Sequence, residues 1–201
     1  MLKERDYIMK KIPVIIEKEF LKDKNCDYHA LMVASCFGTN NLKKKNISID
    51  SKIIRNKKED IEKISHKSWS TTYKSLVKMS TKHKDLIKVN KIKKENTYAI
   101  SYSNKNNKGY ILIDDNIIKI LLRNRDSATI KTYMLLKMVC KNGSKIVTRS
   151  YICDNIGLAS SSTTNLNKIT KITNFLEENH LIRKEYIKNN NCTQSIKYSI
   201  I

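Results

Sequence analysis

The sequence contains one pattern twice, and this internal repeat constrains the fold more than any other feature. Residues 12–21 align with residues 109–118, apolar on apolar and acidic on acidic, and residues 30–37 align with residues 132–139. The aligned positions lie about 97 to 102 residues apart, and the landmarks keep the same order. Such agreement is typical of a duplicated structural unit. The chain is therefore predicted to contain two copies of one small domain.

The two copies also end alike. Leu86-Ile87-Lys88 matches Leu181-Ile182-Arg183, and each is followed by a polar stretch and then by an alternating segment. The chain has 201 residues, which is enough for two hydrophobic cores of about 100 residues each. The polar run at residues 103–108 has no apolar anchor and is the natural linker. We predict one domain over residues 1–104 and a second over residues 105–201.

Both copies are strongly basic. The net charge is +21, from 40 Lys and Arg against 19 Asp and Glu. The first half holds 24 basic residues against 12 acidic ones, and the second holds 16 against 7. An AT-rich genome explains the preference for lysine over arginine better than it explains a twofold excess of bases over acids. Each half is therefore expected to contact a polyanion, of which nucleic acid is the most common.

The sequence contains no membrane segment and no secretion signal that we can identify. Its longest apolar runs, Ile12–Ile16 and Ala30–Phe37, fall well short of the roughly 18 residues that a membrane span needs. The N-terminus lacks the apolar core and cleavage site of a secretory signal. We expect a cytoplasmic protein with no membrane partner.

Five cysteines are scattered along the chain, and their odd number suits reduced thiols in a cytosolic protein. Cys26 and His29 have zinc-like spacing, with Cys36 nearby, but no second close pair completes a set of four ligands. No metal site is predicted.

In the second half, capping residues and apolar periodicity predict a helix-turn-helix followed by a β-hairpin. Thr148 is a natural N-cap for a short helix, and Gly157 is placed to end that helix in a left-handed conformation. A serine among residues 160–162 then caps a longer helix with a buried apolar stripe. The other elements are a strand at residues 110–113, a helix at 116–122, a longer helix opened by Asp126 or Ser127, a short strand at 146–147, and a hairpin of residues 181–187 and 195–201.

The first half is predicted to follow the same plan. Residues 59–65 form the short helix, residues 68–80 the longer helix, and residues 86–101 a hairpin. Four residues of the longer helix, Trp69, Tyr73, Leu76 and Met79, face inward on its apolar stripe. The basic and polar segment Asn40–Lys58 shows no clear period and is predicted to be a loop.

The segment Val147–Leu158, followed by Asn174–Lys184, resembles the winged helix-turn-helix DNA-binding domains of bacterial regulators and replication proteins. Those domains have a threonine-capped helix ending in Ile-Gly, a recognition helix, then Phe-Leu-Glu, a turn, and Leu-Ile followed by basic residues. His180 stands where the family usually has glycine. The resemblance covers most of residues 110–201. Together with the internal repeat, it implies an α+β fold, mostly α, made of two tandem winged helix-turn-helix domains related by internal duplication.

Polar residues on the two predicted recognition helices are the candidates for reading base edges, since Asn, Ser, Thr and Lys have donors and acceptors that match them. In the first half these are Lys67, Ser68, Ser70, Thr71, Thr72, Lys74 and Lys78. In the second half they are Ser161, Ser162, Thr163, Thr164, Asn165, Asn167, Lys168 and Lys171. Candidates for phosphate or minor-groove contact from the wings are Lys91, Lys93 and Lys94, and Lys188, Asn189, Asn190 and Asn191.

The sequence offers no catalytic constellation. The four glycines are isolated, so there is no phosphate-binding loop, and the four histidines are not paired as a relaxase or metalloprotease pairs them. Acidic residues are few and mostly adjoin lysines, which argues against a two-metal nuclease. We predict no enzymatic activity, no cofactor and no small-molecule substrate.

The expected partner is therefore specific double-stranded DNA. In its plan of two winged helices, the chain is similar to plasmid replication initiators of the Rep type, which implies binding to repeated origin sites and leaves a homodimer open. A transcriptional regulator, or an accessory factor of plasmid transfer or segregation, fits nearly as well. A scaffold whose winged helices bind protein is the third alternative.

Overall fold

A computed structural model describes residues 11–15, 18–41, 43–84, 87–102, 110–188 and 194–201, which form an α+β fold with more helix than strand. The first half contains β1 (Lys11–Ile15), α1 (Lys18–Lys22), α2 (Tyr28–Phe37), β2 (Thr39–Asn41), β3 (Asn46–Asp50), α3 (Ser51–Asn56), α4 (Lys58–Ser65), α5 (Trp69–Lys82), β4 (Ile87–Ile92) and β5 (Thr97–Tyr102). The second half contains β6 (Tyr110–Asp114), α6 (Asp115–Arg123), α7 (Ser127–Val139), β7 (Lys145–Ile146), α8 (Arg149–Ile156), α9 (Thr163–Glu178), β8 (Ile182–Lys188) and β9 (Gln194–Ile200).

The elements follow the same order in the two halves: a strand, two helices, a strand, two helices and a hairpin. The first half adds β2 and α3 around its middle strand. β6 begins 99 residues after β1, and Tyr28 and Ser127, the first residues of α2 and α7, are also 99 apart. The alignment of residues 12–21 with 109–118 therefore shifts by two positions when it follows the elements.

The strands form three antiparallel sheets. β1 and β6 make a two-stranded sheet between the halves. The first half has a four-stranded sheet in the order β2-β3-β5-β4, and the second half has a three-stranded sheet in the order β7-β9-β8. In both of these sheets the strand before the helix pair lies beside the last strand of the half, so the terminal hairpin is fixed against the rest of its half.

Both halves contribute to one continuous hydrophobic core. The Tyr28 amide donates a hydrogen bond to Ser127 Oγ (2.9 Å), and Ser127 Oγ donates to the Cys26 carbonyl (3.3 Å). These bonds join the first turns of α2 and α7. The regions predicted as domains, residues 1–104 and 105–201, are thus packed against each other, while the predicted linker at residues 103–108 lies outside the described residues.

The segment Asn40–Lys58, predicted as a loop, is largely regular, and that prediction is wrong. Its strand β3 pairs with β5 and buries Ile47 and Ile49 completely, while the residues between and beside them are partly exposed. The Asp50 carboxylate then caps α3 by accepting from the Lys52 amide at 2.6 Å. This segment carries a strand pattern of period two that is only five residues long.

The predicted starts of α7 and α8 are confirmed by their caps. Asp126 accepts from the Ala128 amide at the start of α7 (3.0 Å), and Thr148 accepts from the Tyr151 amide at the start of α8 (3.1 Å). Side-chain oxygens at these positions satisfy amides that the helix itself leaves unpaired.

No helix among the described residues has the length and apolar character required to cross a bilayer.

Left-handed residues end the short helices of both helix pairs. Gly157 ends α8 with φ 80°, and His66 ends α4 with φ 53°. His180, in the turn before β8, has φ 55°. Two histidines therefore adopt the backbone conformation that glycine adopts most easily.

His66→Gly is expected to raise the free energy of unfolding by about 0.5 to 1 kcal/mol. Relief of left-handed strain, about 1 to 2 kcal/mol, exceeds the added flexibility of the unfolded chain, about 0.4 to 1 kcal/mol. The His66 side chain is exposed, so its removal loses little packing. Urea titration of the variant and of His66→Ala measures the effect; equal stability of the two variants would contradict the strain argument.

Candidate nucleic-acid interface

The second helix pair places α9 with a polar face toward solvent. α8 packs against α9, and the six residues between them contain Gly157 and the N-cap Ser162, whose Oγ accepts from the Asn165 amide at 3.4 Å. Ile169 and Leu176 are completely buried on the inner face of α9. The predicted inward stripe is thus confirmed, and it fixes which face of the helix remains free.

The exposed face of α9 is a stripe of uncharged polar side chains with one basic side chain. Thr163, Thr164, Asn167 and Lys171 are all exposed. The two threonines lie about one turn before Asn167, and Lys171 lies about one turn after it, which places all four along one side of the helix. The first three turns of α9 contain no acidic residue. We call these four residues the α9 stripe. Such a row of hydroxyl, amide and ammonium groups suits both base edges and phosphates.

α5 carries a matching row in the first half. Ser70, Thr71, Lys74 and Lys78 are exposed in the same arrangement, and α5 contains no acidic residue. We call them the α5 stripe. Ser68 caps α5 by accepting from the Thr71 amide at 3.2 Å, just as Ser162 caps α9. The α5 stripe has two lysines where the α9 stripe has one. Its chemistry is therefore suited more to phosphate groups, whose contacts do not depend on sequence.

Thr72 does not belong to the exposed face, and its prediction as a base-reading residue is wrong. It is 1 % exposed and lies on the buried side of α5 with Leu76 and Met79. Its spacing from these two residues, four and then three positions along, is that of an apolar stripe. The hydroxyl group favours the polar face, but the position along the helix places this threonine in the core.

Three other candidates have structural partners inside the protein. Asn165 Nδ2 donates to the Ala159 carbonyl at 3.0 Å and stabilises the turn before α9. Lys168 Nζ lies 3.1 Å from the Asp126 carboxylate, and Lys67 Nζ donates to the Arg125 carbonyl at 3.3 Å. Lys67 and Lys168 therefore bridge elements, and we assign Asn165 to the turn. Ser161 remains exposed beside the α9 stripe.

The wing of the first half is basic and accessible. Lys91 lies in β4, Lys93 and Lys94 lie in the turn that follows, and all three are exposed. The Lys91 ammonium lies 5.6 Å from the centre of the Tyr98 ring. In the second half the backbone of Lys188 ends β8, and the predicted contacts Asn189, Asn190 and Asn191 lie outside the described residues.

The sequence reasoning missed basic residues in the segment predicted as a loop. Arg55 on α3 and Lys58 on α4 are exposed next to the N-terminus of α5, and they line one cavity with Trp69. Asn174 also continues the α9 stripe, and it accepts a hydrogen bond from Lys184 Nζ at 2.6 Å. Asn174 follows Lys171 by three residues, and this spacing alone places both on the same side of a helix.

Trp69 and Tyr73 are predicted to be core residues rather than base-stacking ones, and the structure places them at the margin of the core. Both are partly exposed. Their ring centres are 6.4 Å apart, and the Tyr98 ring meets them edge to face at 5.8 and 4.9 Å. This cluster ties the start of α5 to the hairpin β4–β5, with part of its surface accessible.

Three of the described cysteines, Cys26, Cys140 and Cys153, are poor nucleophiles. Burial, with help from the Asp23 charge, raises the pKa of Cys26 to about 12. Burial also raises the pKa of the Cys140 and Cys153 thiols. These thiols stay protonated near neutral pH, and only the thiolate reacts or binds metal well. No cluster of three potential metal ligands occurs in the part of the chain that the structure describes.

Comparison of the chain with models of protein families, with curated proteins and with solved structures found no match.

Proposed function

We propose that this chain is a sequence-specific double-stranded DNA-binding protein with two tandem winged helix-turn-helix units. The observation that carries the proposal is the pair of stripes on α5 and α9. Each lies on the second helix of a helix pair, is free of acidic residues, and has its N-terminus capped by a serine. A major groove admits such a helix, and its hydroxyl, amide and lysine groups match base edges and phosphates.

The wings support the same function. The hairpins β4–β5 and β8–β9 follow the two helix pairs directly, and the first carries three exposed lysines, Lys91, Lys93 and Lys94. Lysines on a projecting hairpin contact phosphates without reading sequence. The net charge of +21 supplies the long-range attraction that brings the protein to DNA.

The two units are related by an approximate two-fold axis in this proposal. Pro13 pairs with Leu112, its counterpart 99 residues later, while the flanking pairs Ile12–Ile113 and Val14–Ile111 exchange under the same operation. The contact of α4 with α6 likewise exchanges with that of α8 with α1. Helices related in this way meet half-sites of opposite orientation. We therefore propose that one chain recognises an inverted, imperfect repeat.

Within this function, the tandem plan favours a replication initiator of the plasmid type over a regulator or a transfer factor. An initiator binds several copies of its site beside its own gene, whereas a regulator binds at a promoter. Sequencing of the DNA that the protein retains from its own genome distinguishes them. Clustered, repeated sites next to the gene are expected, and a single promoter site would favour the regulator.

Replacing Asn167 by alanine is expected to weaken binding to the selected site by about 1 to 3 kcal/mol, because an amide can bond two groups on one adenine. Binding to random DNA changes little. Site selection from a random duplex library, followed by fluorescence anisotropy, measures both affinities.

The matched comparison is the double variant Lys93→Gln, Lys94→Gln, which removes charge and leaves the α9 stripe intact. It should weaken binding to the selected site and to random DNA equally. The slope of log affinity against log salt concentration should fall by about 0.9 for each phosphate that is no longer neutralised. If the library yields no enriched sequence and both variants alter only the salt slope, specific recognition is refuted and a nonspecific or protein-binding role replaces it.

A further inference from the structure

An open cavity of about 530 Å³ lies where α3, α4, the start of α5 and the hairpin β4–β5 meet. Its walls include the indole of Trp69 and the ring of Tyr98, which touch edge to face at 5.8 Å between ring centres. The volume is within the usual range for small-ligand sites, about 300 to 1,000 Å³. An aromatic wall on one side of such a cavity suits a flat ring.

The rest of the lining favours an anion. Arg55, Lys58 and Lys91 contribute three positive charges, against a single carboxylate from Glu62. Arg55 and Lys58 form no ion pair with any residue that the structure describes. Trp69 and Ser70 are the first residues of α5, whose free amides and dipole also attract negative charge. The cavity thus combines a flat aromatic wall with a cationic rim.

We infer that this cavity binds a nucleotide, with the base against Trp69 and the phosphate between Arg55, Lys58 and Lys91. The site adjoins the α5 stripe, so an unpaired nucleotide of a DNA strand can enter it while α5 lies against the neighbouring duplex. That source rests on the proposed function, whereas a free nucleotide would fit the same chemistry without it.

Trp69 is the sole tryptophan of the chain, so its fluorescence reports directly on this cavity. Titration with thymidine monophosphate, a thymidine tetranucleotide and a closed duplex hairpin should show saturable quenching by at least one of the first two. Lys58→Gln should weaken this binding about tenfold, as expected for removal of a charged phosphate contact beside a stacked base. Lys63→Gln, the same change at an exposed site of α4 outside the cavity, should leave it unchanged.

The Trp69→Leu variant removes the aromatic face and keeps an apolar side chain. Its binding, followed by anisotropy of a labelled tetranucleotide, should be weaker than that of the unchanged protein. Quenching that strengthens from the mononucleotide to the tetranucleotide identifies a DNA strand as the source, and equal affinities identify a free nucleotide. Absence of quenching by both ligands, or an equal effect of Lys58→Gln and Lys63→Gln, overturns the inference.

The selected duplex is titrated against the same variants. Asn167→Ala should lose affinity for the duplex and keep the quenching, since Asn167 lies on the other helix pair. If the nucleotides quench the fluorescence but the library yields no enriched duplex, the proposed function is refuted and the assignment of the cavity remains.

Discussion

Replacement of Leu176 by alanine is expected to lower the free energy of unfolding by about 2 to 5 kcal/mol. The side chain is completely buried on the inner face of α9, within the core shared by both halves. Its removal loses the transfer free energy of the deleted atoms and leaves a cavity that the close-packed neighbours fill only in part. Urea denaturation followed by circular dichroism measures the change.

Leu112→Ala is the matched control, because the same atoms are removed from a side chain that is 48 % exposed in β6. Its effect should be about 0.5 kcal/mol, as for most exposed substitutions. Comparable effects in the two variants would mean that α9 is rotated relative to the core, and the assignment of the α9 stripe to the free face would fall with it.

Gly157→Ala is expected to destabilise the fold by about 2 to 5 kcal/mol, from backbone strain and steric overlap together. Gly157 has φ 80°, and an added Cβ would lie 2.9 Å from the Lys24 amide nitrogen and still closer to the Lys22 carbonyl oxygen. These are backbone atoms at the end of α1, so α8 and α1 would have to separate. Thermal and urea unfolding both report the effect.

Gly143→Ala separates the two causes. Gly143 also has a positive φ, 117°, but nothing lies within 4 Å of an added Cβ. That variant should show strain alone, about 1 to 3 kcal/mol. If Gly157→Ala is no worse than Gly143→Ala, the close approach of α8 to α1 is not a constraint on the fold.

The second half is predictable because its local signals are strong and agree. Thr148, Gly157 and Ser162 mark the ends of α8 and α9 through side-chain caps and a left-handed turn, and the buried stripe of α9 has regular spacing. Each of these signals depends on neighbours within a few residues. The position of the proposed site follows from the same spacing, since the exposed polar face of α9 lies opposite its buried apolar residues.

The failures arise where tertiary contacts decide the structure. β3 is five residues long and is stabilised by pairing with β5, far along the chain, so its two isoleucines give too short a pattern to recognise. Thr72 is misplaced when residue type is given more weight than helical position. The cavity is not predictable at all, because it forms only when α3, α4, α5 and the hairpin β4–β5 meet.

The pairing of β1 with β6 has an evolutionary consequence. A strand that pairs with its own counterpart is the contact by which two identical chains form a symmetric dimer. On the proposed duplication, the ancestor was a single-unit dimer whose subunits later became joined end to end. Fusion frees each subunit from having to match its twin, so the lysines of the α5 stripe and the asparagine of the α9 stripe could then diverge. A separated second half should regain the old contact and self-associate through β6.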